Sequence, residues 1–352
     1  MRRLLVVLFL GCDVQLMASC SKDDVFEQVK PFVFENDSLS NDEDTIKRDS
    51  VFFIVRTLNT DGPTVELYAG NSKRNQSAAV YGDYLFLVTQ GRGFIHIYDL
   101  KRKVLFYSIK LPISDEKSYL GGDLYHSNQA TFGDEFYYDD DQFPLLYISQ
   151  RARNDKRCFV EVYRIVPTLN ETGEAYTSID AQLVQTIFFP VMTAGNSLGN
   201  VNCAIDREKH LMYTYSRNNN KNDANYSICK ISCFNIPDKG YDAVYLEDSD
   251  ILHSYLIGCS AVNMQGGCIH DGILYIGQGY KNAGYIYLNV IDLEKNELLG
   301  RIDLLKQGVE WEPEGCFYYN NKLMIAADNN IWEVSNIFKY QYDDSFKDSN
   351  TK

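Results

Sequence analysis

The stretch QGGCIHDGILYIG, from Gln265 to Gly277, contains the pattern from which the fold is predicted. It consists of a polar residue, small residues, a short apolar run, a tight-turn sequence and a second apolar run. Asp-Gly between two short apolar runs is typical of a β-hairpin, because both residues tolerate the left-handed backbone of a two-residue turn. The stretch therefore predicts two antiparallel strands joined by the turn HDG.

The same layout occurs five times along the chain, which indicates a repeat architecture. Each copy has polar residues, a small pair, an apolar residue, a tight turn and a second apolar strand. The copies are QSAAVYGDYLFLV from Gln76, NQATFGDEFYY from Asn128, VNCAIDREKHLMYTY from Val201, QGGCIHDGILYIG from Gln265 and PEGCFYYNNKLMIAA from Pro313. Between them there is no stretch with apolar residues at the helical period, so the chain is predicted to be all-β.

Small residues occupy one equivalent position in all five copies. They are Ala79, Ala130, Cys203, Cys268 and Cys316. In a β-propeller the innermost strand of each blade packs around a narrow axis, where only small side chains fit. The pattern therefore predicts a β-propeller with five blades. Six or seven blades stay as alternatives, and a β-sandwich competes because it also has short strands at regular spacing.

Further strands complete the predicted blades. Third strands follow four of the hairpins: FIHIYDL from Phe94, FVEVYRIV from Phe159, CKISCFNI from Cys229 and YIYLNVIDL from Tyr285. The last copy ends with NIWEVSN, and an extra strand, VFFIVRTLN over residues 51–59, precedes the first copy. We expect this N-terminal strand to pair within the last blade, which closes the ring and removes an exposed sheet edge.

Residues 1–19 are predicted to be a lipoprotein signal peptide. Arg2 and Arg3 form a basic start, and the apolar run LLVVLFLG is too short to span a bilayer. The stretch LMASC that follows resembles a lipobox, a signal in which the cysteine is diacylated and becomes the mature N-terminus. Cys20 is the expected lipidation site. Cys12 is the alternative site, and an ordinary cleaved secretory signal is the alternative reading.

An acidic tether is predicted over residues 20–49, beginning with the lipidated cysteine. Residues 21–50 hold nine acidic and four basic side chains, a composition that cannot bury enough apolar surface to fold alone. The residues SKDD directly after Cys20 resemble the surface-export signal of Bacteroidetes lipoproteins. This resemblance implies a surface-exposed lipoprotein of the outer membrane. The propeller is expected over residues 50–342, followed by a disordered tail over 343–352.

The charge of the chain excludes some partners. It holds 48 acidic and 34 basic residues, for a net charge of −14. Such a field repels nucleic acid and anionic lipid headgroups, so no nucleic acid partner is expected, and membrane association is expected only through the lipid anchor.

The cysteines are predicted to be buried thiols. Cys229 and Cys233 would lie about 13 Å apart on one face of a strand, too far to form a disulfide with each other. No cofactor or metal site is predicted, because no cysteine pair or histidine cluster has the spacing of metal ligands. The acidic run YYDDDQ over residues 137–142 is interpreted as a solvated turn, with structural calcium as the less favoured alternative.

Polar side chains lie at the start of the predicted innermost strand in every copy. They are Gln76, His126, Asn128, Gln129, Asn200, Asn202, Gln265, Glu312 and Glu314. These segments converge at one end of a propeller channel, which we call the polar mouth. Amides and carboxylates offer the mixed donors and acceptors that hydroxyl-rich ligands need, so the residues predict a carbohydrate or cell-envelope ligand. The alternative is a water-filled channel with no ligand.

Three of these segments resemble a known group of proteins. HSNQATFG, MQGGCIHDG and EPEGCFYYNN are similar to markers in extracellular propellers of the teichoic-acid-protein-C-like and phage tail receptor-binding type. The resemblance covers roughly residues 120–335. It implies a five-bladed propeller that contacts surface glycans, and non-catalytic binding is the function that we expect from the sequence.

Two other functions stay open from the sequence. Glu312 and Glu314 would point to the same face of an extended strand about 7 Å apart, a separation suited to an acid pair. A glycan hydrolase, lyase or cyclotransferase-like enzyme would use Glu314, with Glu312 and His126 as the other catalytic candidates. A protein-interaction scaffold would use the insertions at residues 150–180 and 216–252.

Overall fold

A computed structural model describes residues 54–57, 75–89, 93–112, 127–150, 158–171, 176–190, 201–217, 228–306, 308–327 and 330–335. The predicted signal peptide, tether and C-terminal tail, with Cys20, lie outside these residues. In chain order the strands are β1 (Ile54–Thr57), β2 (Asn75–Tyr81), β3 (Tyr84–Thr89), β4 (Phe94–Asp99), β5 (Val104–Lys110), β6 (Ser127–Phe132), β7 (Leu146–Gln150), β8 (Phe159–Leu169), β9 (Tyr176–Phe188), β10 (Asn202–Asp206), β11 (Leu211–Arg217), β12 (Ile228–Asn235), β13 (Ala243–Tyr245), β14 (His253–Ser260), β15 (Met264–His270), β16 (Ile273–Tyr280), β17 (Tyr285–Asp292), β18 (Glu297–Asp303), β19 (Pro313–Tyr319), β20 (Lys322–Ala327) and β21 (Asn330–Ser335).

The strands form five sheets, each of which is one blade of a β-propeller. Their orders are β2-β3-β4-β5, β6-β7-β8-β9-β13, β10-β11-β12-β14, β15-β16-β17-β18 and β19-β20-β21-β1. The innermost strands β2, β6, β10, β15 and β19 are the five predicted copies. The predictions of an all-β fold and of five blades are therefore confirmed. So is the predicted closure, because β1 pairs antiparallel with β21 and completes the last blade.

The apolar core is divided among the five interfaces between neighbouring blades. Each interface holds its own cluster of buried side chains; for example, Ala79 and Phe86 of blade one pack with Ile148 of blade two. The remaining clusters lie between blades two and three, three and four, four and five, and five and one. Because both faces of every blade are covered, the strands are rich in apolar residues on both faces rather than on one.

The turns follow the residues that predicted them. Asp271 and Gly272 both have positive φ angles, as do Asn320 and Asn321, so each pair forms the left-handed two-residue turn of a tight hairpin. In blade three the turn is longer. There the backbone N–H groups of Glu208 and Lys209 both donate hydrogen bonds to Asp206 Oδ1. Side-chain capping replaces the glycine turn there.

The second blade differs from the sequence expectation. The pattern NQATFGDEFYY places a second strand directly after the turn, but the chain instead forms a loop over residues 133–145 before β7 begins at Leu146. The loop is held by its own contacts. Phe136 packs edge-on against Tyr81 of blade one, and Tyr138 lies under the guanidinium of Arg164. These tertiary contacts outweigh the local β-propensity of the aromatic run.

The two predicted insertions meet at the outer edge of blade two. The insertion of blade two forms the long hairpin of β8 and β9, and the insertion of blade three contributes β13. Strand β13 pairs in parallel with the end of β9, and the ring of Tyr245 stacks on that of Phe188 at 4.6 Å. A strand of blade three therefore extends the sheet of blade two.

Candidate functional site

The innermost strands all start at one end of the channel, and this end contains the polar mouth. Hydrogen bonds connect several of the described residues of the polar mouth, among them Gln76 to Glu314 and Asn202 to the backbone of Gln265. Gln76, Gln129, Asn202 and Glu314 are buried, whereas Gln265 and Glu312 are half-buried. His126 and Asn200 lie outside the described residues, and for Asn128 only the backbone, in β6, is described.

The side chain of Gln129 bridges the channel to blade four. Its Nε2 donates to the carbonyl oxygen of Gly267 at 2.6 Å, and its Oε1 accepts from the Gly267 N–H, also at 2.6 Å. Gly267 is required because a Cβ there would lie 2.4 Å from the carbonyl oxygen of Tyr275. Because Gly267 has no side chain, the side-chain amide of Gln129 can bond to both its N–H and its carbonyl oxygen. A neighbouring β-strand bonds to a backbone in the same way.

Other polar side chains of the mouth also bond to one another. Gln76 Nε2 donates to Glu314 Oε1 at 3.3 Å, which joins blades one and five. Asn202 Nδ2 and the Tyr215 hydroxyl both donate to the carbonyl oxygen of Gln265, at 3.2 and 3.1 Å. Much of the hydrogen-bonding capacity at the base of the mouth is therefore used within the protein.

The geometry expected for an acid pair does not hold. The N–H of Glu314 donates to the carbonyl oxygen of Glu312 at 3.0 Å, which closes a tight turn at Pro313. Two glutamates that are two residues apart point to the same face only if the backbone between them is extended. The hydrogen bond between Glu314 and Glu312 bends this backbone into a turn instead. The expectation of an extended, same-face Glu312 and Glu314 was therefore wrong.

An aromatic side chain that the sequence reasoning missed lies at the rim of this end. Trp311 comes directly before Glu312, and 49% of its surface is exposed. It is one of only two tryptophans in the chain, and the other, Trp332, is half-buried on β21. A rare, large aromatic residue next to the EPEG segment was the available signal, because tryptophan is enriched at binding surfaces.

A cavity of about 360 Å³ lies toward the opposite end of the channel, where the innermost strands finish. Small residues line the cavity, among them Ala79, Ala130, Cys268 and Cys316. Four of the five predicted small positions therefore line the cavity, whereas Cys203 packs between blades two and three. Burial raises the pKa of the Cys316 thiol to about 12, so this thiol is protonated and unreactive at neutral pH.

The rim of this cavity carries charged and aromatic groups. The rings of His270 and Tyr318 stack with centroids 3.8 Å apart. Arg207 lies over the ring of Tyr81 at 5.5 Å. The acidic side chains around the rim are Asp134, Asp206, Glu208 and Asp271.

The acidic run of the blade-two loop forms an ion pair. Asp141 accepts three hydrogen bonds of 2.6–3.0 Å from the guanidinium of Arg164, and its Oδ2 also accepts from the Tyr138 N–H. Although burial alone would raise it, these bonds hold the pKa of Asp141 below its ordinary value. The carboxylate of Asp141 is thus paired with Arg164.

Among the described residues, no group of three or more His, Cys, Asp or Glu side chains is arranged to hold a metal ion.

No helix within the described residues is both long and apolar enough to cross a membrane.

Comparisons with known proteins identify no family. No protein-family model matches the chain, and no curated protein matches it. Among solved structures, glutaminyl cyclase of Myxococcus xanthus is 9% identical, with a TM-score of 0.43 over 80% of this chain and 96% of that chain. The β-propeller domain of Cps50 (Swd1) from Myceliophteria thermophila is 8% identical, with a TM-score of 0.39 over 76% and 85%. Hydrazine synthase of Kuenenia stuttgartiensis is 10% identical, with a TM-score of 0.34 over 72% of this chain and 62% of that chain. At these values the similarities carry no information on function.

Proposed function

We propose that the chain is a non-catalytic binding protein whose polar mouth recognises a carbohydrate or another hydroxyl-rich component of the cell envelope. The observation that carries this proposal is the half-exposed ring of Trp311 next to Glu312, at the end of the channel where Gln265 is also accessible. Sugars present C–H faces that pack on aromatic rings and hydroxyl groups that bond to amides and carboxylates. A platform with polar neighbours suits such a ligand.

The internal bonds of the mouth favour binding over catalysis. A general acid or nucleophile must reach the substrate, but Glu314 is buried and accepts a hydrogen bond from Gln76. The tight turn between Glu312 and Glu314 also removes the extended geometry of an acid pair. The buried, hydrogen-bonded side chains therefore form a rigid base of the polar mouth. Above this base, Trp311, Glu312 and Gln265 would contact the ligand.

The test is a glycan-array screen of residues 21–352, run with Trp311→Ala and Gln265→Ala variants. We expect the wild-type protein to bind a defined set of glycans, and both variants to lose this binding. The matched control is Tyr241→Ala, which removes another exposed aromatic residue, in the insertion of blade three. A wild-type protein with native circular dichroism that binds no glycan would overturn the proposed function. Formation of a product from a bound glycan would show that the protein is an enzyme rather than a non-catalytic binding protein.

The location that goes with this function is also a proposal. Lipidation at Cys20 would hold the propeller at the outer face of the outer membrane on the tether over residues 20–49. Metabolic labelling with a fatty acid tests it: the label should be lost in Cys20→Ser and kept in Cys12→Ser. Surface exposure is then tested by protease treatment of intact cells. Loss of the label in Cys12→Ser, with the label kept in Cys20→Ser, would show that Cys12 is the lipidation site instead.

A second candidate function, a protein-interaction scaffold, has one observation in its favour. The outer edge of blade two carries exposed aromatic side chains, with Tyr241 at 65% and Tyr245 at 57% exposure. Such aromatic residues are enriched at protein interfaces. Capture of an envelope protein by the wild type, lost in the double variant Tyr241→Ser, Tyr245→Ser and kept in Trp311→Ala, would select this function.

A further inference from the structure

Two cysteines that are distant in the sequence lie together in blade three. Cys229 is the second residue of β12, and Cys259 is the last residue but one of β14, the neighbouring antiparallel strand. In the register, Ile228 pairs with Ser260 and Cys229 with Ile257, so a bulge places Cys259 beside Cys229. The two thiols are in hydrogen-bond contact, and both are fully buried in the core between blades three and four.

A polar network of blade four ends at this pair. Arg301 on β18 is hydrogen-bonded to the Cys259 thiol, and its Nε donates to Asn289 Oδ1 at 2.9 Å. Asn289 Nδ2 in turn donates to Gln278 Oε1 at 3.0 Å, and Gln278 Nε2 donates to the carbonyl oxygen of Ser260. The network holds β14 in place, so the position of Cys259 opposite Cys229 is fixed from two sides.

The environment of Cys259 also favours its thiolate. The hydrogen bond from Cys229, followed by the nearby Arg301 guanidinium, lowers the pKa of Cys259 although burial opposes this, whereas the pKa of Cys229 is raised. One of two touching thiols is therefore the better nucleophile. This is the arrangement in which a thiolate attacks a disulfide and its neighbour resolves the product.

We propose that Cys229 and Cys259 are a modification site, at which the two thiols form a disulfide when the chain meets a thiol–disulfide oxidant. A new Sγ–Sγ bond forms between them. Each thiol loses its proton, and the two electrons pass to the sulfur–sulfur bond of the oxidant, which becomes a pair of thiols. Because the pair is sealed from solvent, the reaction takes place while the chain folds or while β14 is transiently open.

The cross-link would have a structural consequence. It would close the segment between β12 and β14, which contains β13, the strand that pairs with β9 of blade two. The disulfide would therefore tie together β12 and β14 at the end of the pair that lies away from β13. In the cell this inference rests on the proposed export, because disulfides persist in oxidising compartments. The test below uses the purified protein, so that failure of export does not decide it.

The experiment refolds the purified protein in a buffer of oxidised and reduced glutathione, and in parallel with excess reductant. Both samples are denatured, alkylated without reduction, and measured by intact mass and peptide mapping. We expect the oxidised wild type to carry two fewer alkyl groups than the reduced one, with one linked peptide pair that contains Cys229 and Cys259. The link should be absent from Cys229→Ser and from Cys259→Ser.

The matched control is Cys233→Ser, four residues along the same strand. Cys233 is also buried, but its thiol is hydrogen-bonded to Tyr213 rather than to another thiol. This variant should keep the link. Complete alkylation of an oxidised wild-type protein with native circular dichroism would overturn the proposal, and so would a link that joins other cysteines. The wild-type result decides the matter even if a serine variant fails to fold.

Discussion

The amide of Gln129 and the backbone of Gly267 form two hydrogen bonds with each other, both 2.6 Å long, across the centre of the propeller. The two residues belong to blades two and four, which are not neighbours in the ring. A single side chain thus joins non-adjacent blades at the base of the polar mouth. The floor of the mouth is part of what holds the ring together.

Replacement of Gln129 by leucine should destabilise the fold. It would leave the buried N–H and carbonyl of Gly267 without partners, and each unpaired buried group costs about 1–3 kcal/mol. We expect the free energy of unfolding in urea to fall by about 3 kcal/mol. The control is Gln182→Leu at an exposed position of β9, which should change it by less than about 0.5 kcal/mol. Equal effects of the two changes would contradict a bridging role for Gln129.

Gly266 tests how closely the inner strands approach. A Cβ at this position would lie 2.2 Å from the carbonyl oxygen of Glu314 on β19, and this backbone cannot move aside independently of its blade. We expect Gly266→Ala to lower the free energy of unfolding by about 3 kcal/mol, as measured by thermal and urea unfolding. Gly258→Ala, where a Cβ meets nothing within 4 Å, is the matched control. An unchanged midpoint for Gly266→Ala would contradict this packing.

The parts of the fold that depend on local chemistry were predictable from the sequence. Turn residues such as Asp271 and Gly272 restrict the backbone by themselves, and small residues at a repeated position indicate a crowded axis. The loop over residues 133–145 and the addition of β13 to blade two were not predictable. Both depend on contacts with other blades, such as Tyr245 on Phe188, that no local pattern in the sequence records.

The candidate site was predicted in part for the same reason. Polar residues at the start of the innermost strands had to converge at one end of a propeller. Which of them bond to each other could not be predicted, because Gln129 pairs with a backbone 138 residues away and Gln76 with a side chain 238 residues away. Their ligand role stays a prediction. Trp311 was missed because it precedes the repeated layout rather than belonging to it.

The pH dependence of stability should contain a contribution from His96. This histidine is buried, with Nδ1 at 2.8 Å from the Ser108 hydroxyl, and burial lowers its pKa from the ordinary value near 6.5. The unfolded chain therefore binds this proton more readily than the folded chain. As the pH falls below about 6.5, stability is lost, and no further loss occurs below the folded-state pKa.

His96→Gln should remove that contribution. We expect the difference in the free energy of unfolding between pH 7.5 and pH 5 to be smaller in the variant than in the wild type. Gln182→Leu, which changes an exposed side chain without a titratable group, serves as the control and should leave the difference unchanged. An identical pH profile for wild type and His96→Gln would show that His96 is protonated as easily in the folded as in the unfolded chain.

Removal of residues 1–59 should open the ring. Strand β1 pairs with β21 through four residues on each strand, from Ile54 opposite Ser335 to Thr57 opposite Trp332. Without it the edge of β21 is exposed, and unpaired edges promote association between chains. We expect a lower unfolding temperature and oligomers in size-exclusion chromatography. A chain that lacks only residues 1–49 should behave as the full chain does; equal behaviour of both truncations would contradict closure by β1.

The occupied mouth can be observed directly through Trp311. Because the chain has only two tryptophans, a Trp332→Phe variant reports Trp311 fluorescence alone. We would titrate this variant with a glycan selected on the array and measure the affinity independently by calorimetry. The predicted result is a saturable change in Trp311 emission with the same dissociation constant as the calorimetric one. Binding by calorimetry with no change in Trp311 emission would place the ligand elsewhere and contradict recognition at the polar mouth.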